Sequence, residues 1–237
     1  MEYRELPADE FRDLEARILY EDNHLMVVNK NVGEITQGDK TGDECLTETL
    51  KAFIAQRDGK PGKVFLGLPH RLDRPVSGVC VLAKTSKALE RLAAMFRDGE
   101  VHKTYRALCC AKPRPAEGHL EDWLVRNEKQ NKTYVTSRRE AAGAKLAKLN
   151  YRFIQSTERY HLVEVELLTG RHHQIRCQLS HLGCIIKGDL KYGAPRSNPD
   201  GGICLHAYEI KFVHPVKKTG LDIKAPMPAS WKGVSAD

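Results

Sequence analysis

Apolar positions in the first hundred residues switch between two periods. Phe11, Leu14 and Ile18 recur at helical spacing from Asp9 onward, and Leu25-Met26-Val27-Val28-Asn29 then reads as a buried strand. After a polar, turn-rich stretch over 33–42, Leu46, Leu50, Phe53 and Ile54 restore a helical stripe up to Arg57, which Asp58-Gly59-Lys60-Pro61-Gly62 ends. Residues 77–84 are strand-like. Thr85 then has the chemistry of an N-cap for a helix carrying Leu89, Leu92, Ala93 and Phe96 on one face, with Gly99 to close it. Another strand is expected over 101–110.

The middle region, 112–145, is richer in charge, Pro and Gly and predicts a hairpin-bearing excursion, followed by strands near 149–155 and 160–167. A helix is predicted over 172–182 and a strand over 203–213, and Pro215, Pro226 and Pro228 mark a loop-like tail. Strands in clusters with few interposed helices, and no regular strand-helix alternation, predict an α+β fold with a mixed, largely antiparallel sheet and flanking helices. No internal repeat or low-complexity segment is visible.

Composition narrows the class. The 237 residues suffice for one substantial core or two joined lobes, and 38 Lys+Arg against 31 Asp+Glu leave a formal charge of +7, which suits a polyanionic partner. Residues 1–18 carry Glu2, Glu5, Asp9, Glu10, Asp13 and Glu15 without an apolar core, unlike a signal peptide. The longest apolar runs are strand-sized, far below the roughly 20 residues of a bilayer helix. The expected location is therefore the cytoplasm. Seven cysteines, with no Cys-x-x-Cys pair, are expected as buried free thiols.

Polar chemistry concentrates in three segments beside apolar runs: His70-Arg71-Leu72-Asp73-Arg74, His102-Lys103-Thr104-Tyr105-Arg106 and Thr169-Gly170-Arg171-His172-His173-Gln174-Ile175-Arg176. An aspartate flanked by Arg71 and Arg74 has its ionised form favoured and is a usable nucleophile or base. On spacing alone, a surface ion-pair cluster accounts for the same residues.

The three segments, in this order, resemble the RluA family of pseudouridine synthases. His70-Arg71-Leu72-Asp73-Arg74-Pro75-Val76-Ser77-Gly78 is similar to the family's catalytic loop, and Lys103-Thr104-Tyr105-Arg106-Ala107 to its tyrosine strand. The 169–176 segment, with Gly188-Asp189 and Tyr192-Gly193, is similar to its third motif. Leu205-His206-Ala207, His214-Pro215 and Ala225-Pro226-Met227-Pro228 extend the likeness over roughly 20–231.

The resemblance implies isomerisation of specific uridines in a structured tRNA or rRNA, on a pseudouridine synthase fold with its cleft across the sheet. It implies a catalytic domain over 20–237 after an N-terminal extension over 1–19, acting as a monomer with no cofactor or metal. Asp73 is then the catalytic aspartate, Tyr105 the ring on the target base, and Arg171 the ion-pair partner of Asp73. Arg71 is the base-flipping arginine, and His70, Arg74, His173, Gln174 and Arg176 are further RNA contacts. Asp73 attacks the sugar or the ring, or removes a sugar proton; the sequence leaves all three routes open. Several relatives carry an N-terminal RNA-binding module for which the residues before Tyr20 are too few, so target choice is expected to rest on the core surface.

Other signals point elsewhere. Lys112, Arg114, Arg126, Lys129, Lys132, Arg138 and Arg139 fit either a track for a phosphate backbone or a solvated charged hairpin. Cys177, His181 and Cys184 share one face of a helix but lack a fourth metal ligand. The stretch 33–41 approaches a phosphate-binding loop, with Asp39 spoiling the register between glycine and lysine. A non-catalytic RNA-binding protein is the chief competing class. A glycoside hydrolase would want a second carboxylate beside Asp73.

Overall fold

Three antiparallel strands, β1 (Ile18–Glu21), β2 (Leu25–Lys30) and β3 (Ser77–Ala83), build the first half of the computed structural model, which describes residues 3–38, 42–59 and 62–234. Helices α1 (Ala8–Ala16), α2 (Leu46–Asp58) and α3 (Ser86–Asp98) accompany them. All seven residues of β3 are buried, so both of its faces are covered. One face packs Val79, Val81 and Ala83 with Leu25 and Val27 of β2 and with Ala88 and Leu92 of α3. At roughly 1.5–3 kcal/mol for each large apolar side chain removed from water, β3 is a stiff base for whatever precedes it. α3 begins as expected: the Thr85 hydroxyl accepts from the Ala88 N–H, and Gly99 closes the helix at φ 79°, a conformation that a Cβ disfavours.

The chain divides into two compact units, one ending at Val101 and regaining Ile210–Ala225, the other formed by His102–Glu209 and the residues from Pro226 onward. The second unit orders β4 (His102–Cys109), β5 (Glu117–Asn127), β6 (Lys132–Thr136), β7 (Lys145–Ser156) and β8 (His161–Leu167) as β4-β8-β7-β5-β6, with every neighbouring pair antiparallel. Helix α4 (Gln174–His181) places Cys177 in a core with Leu124, Ala147 and Tyr192. Strand β9 (Leu205–Val213) starts in this unit and ends in the first, where β10 (Gly220–Lys224) pairs with it. The α+β class and the largely antiparallel sheet stand as expected.

Several local expectations are corrected. The tail between Pro215 and Pro226 is not all loop: Leu221 and Ile223 alternate with polar residues and form β10, too short to register between prolines. The fourth helix starts at Gln174 rather than at 172, because His173 sits at φ 51°, in the left-handed region. That helix ends at His181, so Cys184 lies beyond it and shares no helical face with Cys177. No group of three metal-type ligands occurs among the described residues. Six cysteines are buried and free as expected, whereas Cys110 is exposed.

Candidate active site

Residues 70–76 run without regular structure into β3, and each neighbour of Asp73 is held. Leu72 and Val76 are buried, 6% and 3% exposed, which anchors the loop on both sides of the half-buried aspartate. The Val76 N–H donates to the Asp73 carbonyl at 3.0 Å and closes a turn. His70 stacks on Phe96 with centroids 4.6 Å apart, and its Nε2 accepts the Val81 N–H at 2.9 Å. A ring so placed braces the loop against β3 and α3.

Arg71 is exposed. Arg74 departs from the expected flanking role: its guanidinium donates to Asp43 at 2.6 Å and to the Gly33 carbonyl at 3.1 Å. The Gly33 N–H returns a bond to the Arg74 carbonyl at 2.9 Å, so two loops are latched in both directions. Beneath them lies Lys30, 0% exposed.

In the second unit, Tyr105 lies opposite Val165 on β4 and is 8% exposed. The third segment is organised by Gln174, itself buried. Its Oε1 accepts from the Thr169 hydroxyl (2.8 Å) and the Arg171 N–H (3.0 Å), while its Nε2 donates to the Lys148 carbonyl and to Gln178, both at 3.0 Å. Every hydrogen-bonding position of the amide is thereby filled. Arg176 forks onto Asp189 at 2.7 and 2.8 Å, with the two side chains 5% and 1% exposed. Asp189 follows Gly188, which has a φ of 86° and where an added Cβ would lie only 2.8 Å from the Gly202 carbonyl oxygen, so no side chain fits.

His173 is buried with its Nδ1 at 3.1 Å from the Tyr192 hydroxyl. Burial first, and then the cations around it, Arg176 foremost, push its pKa down to about 2, so it is neutral. Burial likewise pushes the Tyr192 phenol up. His173, Gln174 and Arg176, expected as RNA contacts, are thus interior residues that bond within their own unit. Arg171 is the exposed cation of the segment, its Nε donating to the Leu146 carbonyl at 2.9 Å.

The basic middle region is the β5–β6 hairpin and its flanks. Arg126, Lys129, Arg138 and Arg139 are exposed, Arg139 lies over the Trp123 ring at 5.4 Å, and Tyr134 is 43% exposed. Its tip is fixed: His172 Nε2 is 3.1 Å from Asn131 Oδ1, and Lys191 donates to the Gln130 and Asn131 carbonyls. Residues 39–41 of the near phosphate-binding loop lie outside the described residues.

Comparison with known proteins agrees with the motif geometry. The family model described as RNA pseudouridylate synthase matches residues 24–181. The chain is 32% identical to the ribosomal large subunit pseudouridine synthase D of Zymomonas mobilis, over 93% of this chain and 72% of that one. It is also 32% identical to the tRNA pseudouridine synthase C of Vibrio cholerae, over 93% and 94%. The solved structure of human RNA pseudouridylate synthase domain containing 4 superposes with a TM-score of 0.79 at 27% identity, covering 93% of this chain and 92% of that one. The chain belongs to the RNA pseudouridine synthase family. It is an isomerase that converts uridine in RNA to pseudouridine.

Proposed function

We propose that Asp73 starts this isomerisation on a uridine held in a stem-loop of tRNA or rRNA. The observation that carries the reading is the loop 70–76: a half-buried carboxylate in a closed turn, anchored by Leu72 and Val76 and followed by the fully buried β3. Conversion to pseudouridine breaks the bond from ribose to ring nitrogen 1, turns the uracil, and joins carbon 5 to the same sugar carbon. Atoms and electrons balance within the nucleotide, which needs a carboxylate as nucleophile or base and no redox partner. Tyr105 packs on the base and takes the proton released from carbon 5.

Arg71, exposed beside Asp73, enters the stack vacated by the uridine and offsets part of the unstacking cost of a few kcal/mol. The exposed cations of the β5–β6 hairpin follow the phosphate backbone, supported by the sign of the chain's net charge. Similarity to relatives named for ribosomal and transfer RNA supports a target of one of these two kinds. The enzyme works as a monomer in the cytoplasm. That location is supported by six buried free thiols.

The test is conversion of unmodified tRNA and rRNA transcripts by the protein and by Asp73→Asn, read as pseudouridine formed. Asp73→Asn keeps the shape but loses the charged oxygen, and activity should fall at least about a thousandfold while RNA binding persists. Retention of wild-type activity would overturn the assignment.

A further inference from the structure

The β5–β6 hairpin has two unlike faces. Leu124 and Val135, directly opposite each other, pack inward with Ala147 and with Cys177 of α4. The alternate positions face outward: Trp123 stands opposite Thr136, and Val125 opposite Tyr134. Trp123 and Tyr134 are therefore diagonal neighbours on one face, a relation that sets residues about 7–8 Å apart and lets each ring take a separate flat partner. Tyr134 is 43% exposed, yet its hydroxyl donates to Gln130 Oε1 at 2.6 Å, so the ring is held in place at the surface. Among the described residues β6 ends the strand order of the sheet, and no further strand pairs beyond it.

Cations accompany the two rings. Arg139 lies over the Trp123 ring at 5.4 Å and Lys132 over the Tyr134 ring at 5.1 Å. From Trp123 to Lys148 the sequence has seven Lys and Arg against two Glu, so this stretch holds most of the chain's excess positive charge. Aromatic faces set among guanidinium and ammonium groups match a base and its phosphate; an acidic peptide would use the cations and leave the rings idle. The register puts this platform on the reverse of the sheet from Tyr105. Tyr105 pairs with Val165, Val165 with Tyr151 and Tyr151 with Gly118, a row that shares its face with Leu124 further along β5. A base resting on Tyr105 is thus on the wrong side of the sheet for Trp123 and Tyr134, and whatever stacks on them is another part of the RNA.

We propose that the outer face of the β5–β6 hairpin is a second RNA-binding surface, on which Trp123 and Tyr134 stack unpaired nucleotides that lie outside the target stem-loop. The inference rests on the reading of the hairpin cations as a track for the phosphate backbone, and gives that track its bases. Stacking tolerates every base, because each has a π-face. The surface therefore adds affinity for flanking single strand and leaves the choice of uridine to the face that carries Tyr105.

The experiment measures Kd for two forms of the stem-loop that the wild-type protein converts, one blunt and one with unpaired cytidine tails of about four nucleotides at both ends. Cytidine stacks but cannot be isomerised to pseudouridine. The readout is the ratio of the two Kd values within each protein, in which a general loss of affinity cancels. Wild type should bind the tailed RNA at least about fivefold more tightly, and Trp123→Leu and Tyr134→Leu should each bring the ratio towards one. If Trp123→Leu does not fold, Tyr134→Leu, at an exposed position, decides the matter. A wild-type ratio within about twofold of one, or aromatic variants that keep the full ratio, overturns the inference. The same Kd values are taken at rising salt for wild type and for Lys129→Gln combined with Arg138→Gln, both exposed, which should flatten the salt dependence for both RNAs. An unchanged salt dependence instead removes the phosphate-track reading on which the inference rests.

Discussion

The loop 70–76 and the third segment 169–176 carry similar letters and use them in opposite ways. In the loop, the arginines lie at the surface, and the bracing is hidden in Lys30, the His70 ring and backbone carbonyls. In 169–176, most of the charged and polar side chains are themselves the bracing: Arg176 on Asp189, Gln174 on four partners, His173 on Tyr192. A run of Arg, His and Gln therefore does not distinguish groups offered to a substrate from groups consumed by the fold. Burial does, because a polar side chain taken from water must spend its hydrogen bonds internally.

The largest expected effect comes from breaking the interior fork. Arg176→Met leaves the Asp189 carboxylate, 1% exposed, without its partner, and breaking such a pair from one side costs about 3–5 kcal/mol. Arg176→Met with Asp189→Leu should recover much of that loss, since the stranded charge goes with it. Urea unfolding of the single and double variants checks this. A single variant within about 1 kcal/mol of wild type would show that the fork is not the brace it is taken to be.

This contrast also explains what was legible in the sequence. Periodicity located α2, α3, β2 and β3 closely, because each has a covered apolar face and, in α3, capping residues of recognisable chemistry. The order of the three segments pointed to the family without the fold. The role of each residue within a segment was not readable in the same way. Arg74 beside Asp73 in sequence turns to Asp43, thirty-one positions away, and Lys30 reaches the Val76 carbonyl across forty-six. Local spacing has no access to such partners. The left-handed His173 that delays α4 was equally hidden, since only a folded environment holds a non-glycine residue there.

A smaller effect sharpens the interior half of the comparison. His173 has its pKa held at about 2, below the ordinary value near 6.5, so as pH falls the unfolded chain takes up the proton first. Its contribution to stability is complete above about pH 6.5 and is lost as pH falls toward the folded value, at a slope of at most about 1.4 kcal/mol per pH unit. His173→Asn keeps a residue that tolerates φ 51° and removes the titration. Between pH 6 and pH 5 the wild-type protein should lose about 1 kcal/mol more than this variant, measured by denaturant unfolding at each pH. Equal losses would mean that the ring is not kept neutral by burial.

The smallest effect belongs to the surface half. Arg74 and Asp43 form an ion pair with side chains 46% and 50% exposed, the class of pair whose net contribution is about 0–1 kcal/mol. Arg74→Ala also gives up the bond to the Gly33 carbonyl, yet the return bond from the Gly33 N–H uses the backbone and survives. The loop should therefore stay latched, with stability reduced by less than about 1 kcal/mol and that loss largely erased in high salt, where exposed pairs are screened. A loss comparable to that of Arg176→Met would place Arg74 among the bracing residues after all, and the two segments would then differ in exposure without differing in how they are held.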